Sequence, residues 1–397
     1  MSIINKMLNH RLQIPDGIGG LVLVAALAVW PSAADAQVVV AATDGKMHLV
    51  DGVNTPMTRP LPDTVTILTL DGARPRVLAE LRVPNSIIGP PQSVAITPDG
   101  ALALVTASTK IDPADGTKTL PDDQVTVIDL KAATPTIIAT LHAGAGANGV
   151  SINRAGTLAL VANRNDGSVS VFTISGKTVT PAGKVDLGAP GSFPSHVVFT
   201  RDGRMALVTR NMDSLVSLLA IDGTKVTYTK TDIGTGLRPY GIDVTPAGDA
   251  AVVANIGAGQ MGGVDTLSVI DLTATPVQVV SHLTIGHIPE GVAISPDGQF
   301  VAVTVINGTN SAPTSPVFHD FGILKIVRLA NKTLTPVTER RMGRWCQGAV
   351  WSRDGKTLLV QCAVEQELQV FRFDGRTLTA DGAIKVNGTP AGMRAGQ

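Results

Sequence analysis

Pro289-Glu-Gly-Val-Ala-Ile-Ser-Pro-Asp-Gly298 decides the fold, because five other stretches of this 397-residue chain follow the same pattern. Each copy is a short, strand-forming apolar run that ends in a Pro/Arg-Asp/Ala-Gly turn, where glycine supplies the positive φ. The other copies begin at Pro91, Ala147, Pro194, Pro239 and Cys346. Repetition at a period of roughly 45–60 residues predicts a repeat architecture that spans the chain.

The count of strands fixes the number of repeats. A second apolar run follows every turn, which predicts an antiparallel hairpin, and a third strand then recurs. Third strands occur seven times and first strands six times, because residues 37–84 lack a first strand. The stretch Thr389-Pro-Ala-Gly-Met-Arg394 begins like the missing one. We therefore predict an all-β, seven-bladed β-propeller of four-stranded antiparallel blades, closed by the C-terminal strand in the N-terminal blade.

The first residues of the chain predict a secretory signal peptide. Lys6 and Arg11 precede the apolar run 18–30, and Ala34-Asp-Ala36 offers a small-residue cleavage site. The run is shorter than the ~20 residues that span a bilayer, although a retained anchor stays the alternative. We therefore expect residues 1–36 to be removed and residues 37–397 to form one propeller domain. The mature protein is expected to be a periplasmic monomer without a membrane span.

Composition excludes several classes of protein. The 32 basic residues balance the 32 acidic ones, which argues against a nucleic-acid partner. The sequence holds no P-loop, no Gly-rich dinucleotide fingerprint and no Gly-x-Ser-x-Gly nucleophile motif. Cys346 and Cys362 are the only cysteines and face each other at the end of one predicted hairpin. A cross-strand disulfide is expected there, with two buried free thiols as the alternative.

Polar side chains concentrate where the innermost strands begin. The long inserts between second and third strands project from the same end, so we expect them to rim the channel mouth and to bind a small molecule or a protein partner. The second position of each first strand is expected to point near the channel; it holds Gln92, Asn148, Ser195, Tyr240, Glu290, Gln347 and Ala391. Strand ends and entry loops add Asn163, Arg164, Arg210, Asn211, Arg238, Asn255 and Arg344.

The chemical types in this set suggest a ligand. A carboxylate, an imidazole, a phenol and several guanidinium groups suit the binding of an anionic or carbonyl-containing molecule. His196 stands out because the third position of the repeat otherwise holds Gly or Ser. A water-filled channel, in which polar groups only satisfy hydrogen bonds, is the alternative. We expect no cofactor; the alternative is Ca²⁺ on the oxygens of Glu290, Asn148, Asn163, Asn211 and Asn255, with one charged ligand.

The repeat, with Phe300-Val-Ala-Val-Thr304 after its turn, resembles the YVTN-type propeller repeat of exported bacterial proteins. It also resembles the seven-bladed lactonase family, which includes 6-phosphogluconolactonase-like and muconate-lactonising members. Pro194-Ser-His196 is similar to the Pro-His strand opening of that family. The resemblance implies His196 and Glu290 as acid–base groups, with Arg344 placed by its loop position.

Two functions of different classes follow from these observations. The first is an exported propeller that binds a small anionic or carbonyl-containing ligand without catalysis. The second is a lactonase-like hydrolase, in which Tyr240 and Arg344 hold the developing oxyanion or a substrate carboxylate. Fold does not fix function, so the repeat alone does not decide between them.

Overall fold

The structure is a computed structural model that describes residues 37–70 and 74–396, so the predicted signal peptide lies outside the described residues. In chain order the first strands are β1 (Val38–Asp44), β2 (Met47–Val50), β3 (Val53–Pro56), β4 (Thr64–Thr69), β5 (Arg76–Arg82), β6 (Val94–Ile96), β7 (Leu102–Thr106), β8 (Thr109–Ile111), β9 (Thr119–Pro121), β10 (Gln124–Asp129) and β11 (Thr136–His142). They continue with β12 (Ala147–Ile152), β13 (Leu158–Asn163), β14 (Ser168–Ser175), β15 (Thr178–Asp186), β16 (Pro194–Phe199), β17 (Met205–Arg210), β18 (Leu215–Asp222), β19 (Lys225–Gly234), β20 (Pro239–Val244) and β21 (Ala250–Asn255).

The remaining strands are β22 (Asp265–Asp271), β23 (Gln278–Gly286), β24 (Pro289–Ile294), β25 (Phe300–Val305), β26 (Gly322–Ala330), β27 (Thr333–Met342), β28 (Cys346–Trp351), β29 (Thr357–Cys362), β30 (Glu367–Phe373), β31 (Leu378–Lys385) and β32 (Thr389–Ala395). Two 3₁₀ turns, Pro190–Ser192 and Gly259–Met261, are the helical elements of the described residues. Within those residues, no helix is long and apolar enough to cross a membrane.

Seven four-stranded antiparallel sheets form the blades of a propeller, as predicted. Blade 1 is β32-β1-β4-β5 and blade 2 is β6-β7-β10-β11. Blades 3 to 7 each take four consecutive strands, beginning with β12, β16, β20, β24 and β28. The C-terminal strand closes the ring, because β32 pairs antiparallel with β1 and places Ala395 opposite Val39. This confirms the predicted closure of the N-terminal blade.

The apolar pattern of each strand follows from its place in the blade. β13 (Leu-Ala-Leu-Val-Ala-Asn) is buried along its whole length, because a middle strand is covered by neighbouring blades on both faces. The outermost β11 has only exposed and half-buried residues instead. Between blades 5 and 6 the core consists of small aliphatic side chains such as Val252, Val269, Val303 and Val327. Aliphatic packing of this kind explains how a chain with 3% aromatic residues fills its core.

Glycine and threonine residues allow the innermost strands of adjacent blades to lie close together and to form hydrogen bonds. A Cβ at Gly291 would lie 2.3 Å from the carbonyl oxygen of Gln347 in the next blade, so the strands approach this closely only with glycine. Thr304 of β25 donates from Oγ1 to the same carbonyl at 2.6 Å and accepts from the Gly291 N–H at 3.0 Å. Thr209 likewise donates to the carbonyl of Tyr240 at 2.9 Å. These contacts explain why the third position of the repeat is Gly in five of the seven blades.

The two cysteines form a disulfide. Cys346 of β28 is the direct cross-strand partner of Cys362 in β29, and their sulfur atoms are bonded. The predicted disulfide is therefore confirmed, and the alternative of two free thiols is wrong. The bond lies where blade 7 meets the end of the channel at which the innermost strands begin.

We call that end of the channel the lid end, and the opposite end, which carries the Asp-Gly turns, the turn end. Aspartates of the turns are bound within their own turns: Asp202 accepts from Thr200 Oγ1 at 2.7 Å and from the Arg204 N–H at 3.1 Å. The hydrogen bond from Thr200 contributes most to lowering the pKa of Asp202. These carboxylates are therefore committed to holding the turns.

Candidate functional site

The lid end is closed by apolar side chains from the long inserts and entry loops. Seven buried residues pack together there: Met47, Ile87, Ile288, Ile306, Trp345, Ala363 and Ala391. The β2–β3 hairpin reaches across the end of the channel, where Gln260 Nε2 donates to the carbonyls of Gly52 at 3.0 Å and Asn310 at 2.6 Å. Apolar residues of the inserts and entry loops therefore pack together at the channel end where the sequence places the polar ring.

A cavity of about 330 Å³ opens at the turn end. The later residues of the innermost strands form its wall, and apolar side chains in that wall include Ile96, Ile152, Val198, Val292 and Trp351. Charged and polar side chains of the same wall are Arg154, Arg201, Arg353, Arg394, Asp243, His196 and Gln92. Such a mixture of apolar wall and few polar groups is typical of a small-molecule site.

Three arginines of this cavity lack a direct salt-bridge or hydrogen-bond partner among the described residues, although Asp243 attracts two of them at longer range. Within the described part of the chain, the guanidinium groups of Arg154, Arg201 and Arg394 form neither an ion pair nor a hydrogen bond, and Arg201 Nε is buried. Burial, together with repulsion from Arg154, lowers the pKa of Arg201. Unpaired guanidinium groups that repel one another form a strong site for an anion.

Asp243 is the carboxylate among these arginines. It accepts hydrogen bonds from the N–H of Val244 at 3.0 Å and from that of Ile294, in the next blade, at 2.9 Å. Burial raises the pKa of Asp243, and attraction to Arg394 opposes the rise. Asp243 and Arg394 therefore act on each other electrostatically from blades 5 and 1, on different sides of the cavity.

His196 lies at the inner wall of the cavity. Its Nδ1 accepts a hydrogen bond from the Ile242 N–H at 3.4 Å, so the neutral ring carries its proton on Nε2. Burial, and then repulsion from Arg394, lowers the pKa of His196 to about 3. His196 is thus a neutral donor through Nε2, in a geometry unlike that of the predicted general base. A Cβ at Gly149 would lie 2.8 Å from the ring, so this glycine makes room for the histidine.

Glu290 and Tyr240 lie deeper in the channel, between the cavity and the lid end, and are 6% and 7% exposed. Burial raises the pKa of Glu290 to about 8 and also raises that of Tyr240. Arg164 and Glu290 both act on the Tyr240 hydroxyl electrostatically, in opposite directions. Of the predicted acid–base pair, His196 thus lines the cavity, whereas Glu290 is buried and is not one of its lining residues.

Arg344 lies away from both residues. Its Nε donates to Glu365 Oε1 at 3.0 Å, and its backbone N–H donates to Glu365 Oε2 at 2.8 Å, next to the lid end. Two other predicted arginines are also paired: Arg164 donates to Ser195 Oγ at 2.8 Å, and Arg210 forms ion pairs with Asp213 and Asp232. The structure thus does not bring Arg344 to His196 and Glu290.

The predicted asparagines hold the backbone. Asn163 Oδ1 accepts from the Gly144 N–H at 3.0 Å, and Asn255 Oδ1 accepts from the Gly236 N–H at 3.1 Å. Asn148 donates to the Ile88 carbonyl at 2.7 Å, and Asn211 donates to the Pro239 carbonyl at 3.4 Å. The backbone N–H of Arg238 donates to Ser214 Oγ. Asn163 and Asn255 therefore use their side-chain oxygens to hold the loops that enter blades 3 and 5, and calcium binding by the predicted set stays a prediction.

Sequence reasoning missed Asp243 and Arg394. Both occupy the fifth position of the repeat, where the other blades carry Ala95, Ser151, Val198, Ala293 and Val350. When the seven repeats are aligned, Asp243 and Arg394 are the two charged residues at a position that otherwise holds small or apolar ones. This difference could have identified them from the sequence. Gln92 and Gln347 were predicted at the second position, and both are buried there.

Comparison with known proteins supports the resemblance seen in the repeat. Residues 120–236 match the model of the family described as lactonase, 7-bladed beta-propeller. The chain resembles the seven-bladed lactonase propellers in sequence and in fold. Comparison with curated protein sequences gives no match.

Solved structures of low sequence identity share the fold. A candidate 6-phosphogluconolactonase of Bacteroides fragilis is similar with a TM-score of 0.71 and 17% identity, over 92% of this chain and 99% of that one. The periplasmic gluconolactonase of Pseudomonas aeruginosa is similar with a TM-score of 0.66 and 16% identity, over 91% and 99%. Hydrazine synthase of Kuenenia stuttgartiensis has a TM-score of 0.55 and 17% identity, over 74% and 79%. Such different proteins show that this likeness concerns the fold alone.

Proposed function

We propose that this lactonase-type propeller binds a small anionic molecule in the cavity at the turn end. The observation that carries the proposal is the set of three unpaired guanidinium groups, from Arg154, Arg201 and Arg394, around a cavity of about 330 Å³. Guanidinium groups match carboxylate and phosphate oxygens with paired donors, and they bind more strongly where water is partly excluded.

The remaining lining suits a ligand with hydroxyl or carbonyl groups. Asp243 offers acceptor oxygens, and the His196 ring offers one donor on Nε2. The apolar wall, which includes Val198 and Val292, would pack against the carbon skeleton. The predicted signal peptide and the disulfide favour an oxidising compartment for this activity, which we take to be the periplasm.

Hydrolysis of a lactone is the second candidate, favoured by the family match and by the arrangement of Asp243, His196 and Arg394. Ionised Asp243 would take a proton from a water molecule as its oxygen attacks the lactone carbonyl. The His196 Nε2–H and Arg394 would stabilise the oxyanion that forms. The ring C–O bond then breaks, and the leaving alkoxide takes up a proton to give the hydroxy acid.

Ligand binding by matched arginine variants tests the proposal. A thermal-shift panel of carboxylates, sugar acids and phosphates would identify ligands for the wild-type protein, and calorimetry would measure Kd. We expect Arg394→Gln and Arg201→Gln to weaken the best ligand by about tenfold or more, the usual effect of losing a charge-assisted hydrogen bond.

Arg344→Gln is the control, because Arg344 is paired with Glu365 near the lid end and should leave Kd unchanged. The proposal is wrong if no anion in the panel binds, or if the ligands found bind Arg394→Gln as tightly as the wild type.

A further inference from the structure

One residue attaches the loop that enters the closing strand to the rest of blade 1. Asn387 lies between β31 and β32, and its backbone carbonyl accepts from Thr43 Oγ1 of β1 at 3.1 Å and from Thr64 Oγ1 of β4 at 3.4 Å. Its side-chain Nδ2 donates to Glu80 of β5, at 3.0 Å to Oε1 and at 2.9 Å to Oε2. Asn387 therefore contacts each of the three strands that β32 joins to complete the ring.

The closing strand comes from the far end of the chain. β32 pairs with β1 from Ala395 opposite Val39 to Thr389 opposite Asp44. Loss of this pairing would expose the edge of β1 and open the ring. Asn387 stands two residues before Thr389, so its contacts fix the point at which the chain enters the closing strand.

Asn387 precedes a glycine, and an Asn-Gly pair is chemically labile. The backbone nitrogen of the glycine attacks Cγ of the asparagine, so that an N–Cγ bond forms and the Cγ–Nδ2 bond breaks. Ammonia leaves with the proton of the glycine N–H, and water opens the cyclic imide to aspartate or isoaspartate. Glycine favours the attack because it has no Cβ to hinder the approach.

The chain has three Asn-Gly pairs, and their surroundings differ. Asn148 lies in β12 and is 2% exposed. Asn307 is half-buried, and its Nδ2 donates to the Phe321 carbonyl at 3.1 Å. Asn387 is exposed, and within the described residues the Gly388 N–H donates to no acceptor. Of the three pairs, the one at the ring closure is therefore the most accessible to the reaction.

The fold requires the glycine of this pair. Gly388 has a φ of 114°, which favours glycine over any other residue. A Cβ at this position would lie 2.8 Å from the carbonyl oxygen of Asp44 in β1. The labile pair is thus a consequence of the close approach between the entry loop and β1.

We propose that Asn387 is a modification site, at which spontaneous deamidation weakens the closure of the ring. The product carboxylate would face the Glu80 carboxylate to which the amide now donates. Two hydrogen bonds to a charged acceptor would be lost, and two like charges would take their place. Isoaspartate would also lengthen the backbone by one carbon and displace the carbonyl that accepts from Thr43 and Thr64.

The consequence reaches the turn-end cavity through the closing strand. β32 carries Arg394, so a looser strand would hold this guanidinium group less firmly. An effect on ligand affinity rests on the proposed function, whereas the deamidation of Asn387 and its effect on stability do not.

Peptide mapping of aged protein tests the chemistry. Folded mature protein is kept at mildly alkaline pH and digested at intervals, and mass spectrometry follows the conversion of each Asn-Gly pair from amide to acid. We expect Asn387 to convert about tenfold faster than Asn148, which the sheet holds, and also faster than Asn307. The assignment is overturned if Asn387 stays intact or converts no faster than the other two.

A variant that carries the product tests the consequence. We expect Asn387→Asp to lower Tm by about 1–3 °C and to speed up hydrogen exchange of the β32 amides. Adding Glu80→Gln should recover most of this loss, because a glutamine amide can donate to the new carboxylate. High salt should reduce the difference between Asn387→Asp and the wild type, since it screens the repulsion.

Asn331→Asp is the matched control, because Asn331 is exposed in the turn between β26 and β27 of blade 6, away from the closing strand. It should leave Tm and the exchange of β32 unchanged. The proposed effect is wrong if Asn387→Asp melts and exchanges like the wild type, or if adding Glu80→Gln recovers nothing. Neither result would affect the anion proposal, which is measured on Arg394.

Discussion

Single positions in the repeat separate structural from functional residues. At the third position, glycine permits the close approach of neighbouring strands, and His196 is the large exception, accommodated by Gly149. At the fifth position, Asp243 and Arg394 are the charged exceptions. The first exception could be recognised from the sequence. The charged pair at the fifth position was missed because the pairing of the innermost strand with its neighbour shifts register between the first and fourth residues of the repeat. Such a shift changes the face of the sheet to which the following side chains point.

If the protein is a lactonase, Asp243 sets the pH dependence of its rate. Burial is the main cause that raises its pKa, so the Asp243 carboxylate becomes protonated, and stops acting as a base, at a higher pH than an ordinary aspartate. We expect kcat/KM on a lactone to fall as pH drops through this raised pKa. Asp243→Asn should lower kcat/KM by about 10²-fold or more and remove this limb of the profile.

The same assay has a control. Arg344→Gln should retain the full pH profile, since its partner Glu365 lies near the other end of the channel. An unchanged acidic limb in Asp243→Asn would exclude this residue as the base.

At the scale of strands and loops, the repeat predicted the hairpins and the closure of the N-terminal blade. It did not predict that the long inserts would pack apolar residues over one end of the channel. Their apolar residues, among them Met47 and Ile306, lie outside the repeating unit, and only the folded chain shows that they pack together. The shortening of β6 is readable in retrospect from Pro90 and Pro91. The pairing of Cys346 with Cys362 was predictable, because both stand at matching ends of one hairpin.

The disulfide should stabilise this hairpin and the lid beside it. The cysteines are 16 residues apart, and closing a loop of about that length is worth roughly 3 kcal/mol. We expect the double variant Cys346→Ala/Cys362→Ala to lower the free energy of unfolding by about 2–4 kcal/mol, measured by urea denaturation.

A reducing agent should produce a similar loss in the wild-type protein and none in the double variant. If reduction leaves the wild-type transition unchanged while the thiols are shown to be free, the disulfide contributes little to stability.

For the whole molecule, the sequence predicted the fold but not which end of the channel opens. The repeat does not show which end is covered, because the residues that differ between the ends lie mostly outside the repeating unit. The lid end gains apolar inserts, whereas the turn end keeps the unpaired arginines Arg154, Arg201 and Arg394. The end of the channel at which a polar side chain lies, more than its residue type, therefore decides whether it belongs to the proposed site.

A crystal structure of the mature protein with the best anion from the ligand panel would locate the binding site. We expect density for the anion in the turn-end cavity, with its charged group on Arg394 or Arg201 and another polar group near Asp243 and the His196 Nε2–H. Density at the lid end, beside Arg344 or over the β2–β3 hairpin, with the turn-end cavity free of ligand, would contradict this expectation.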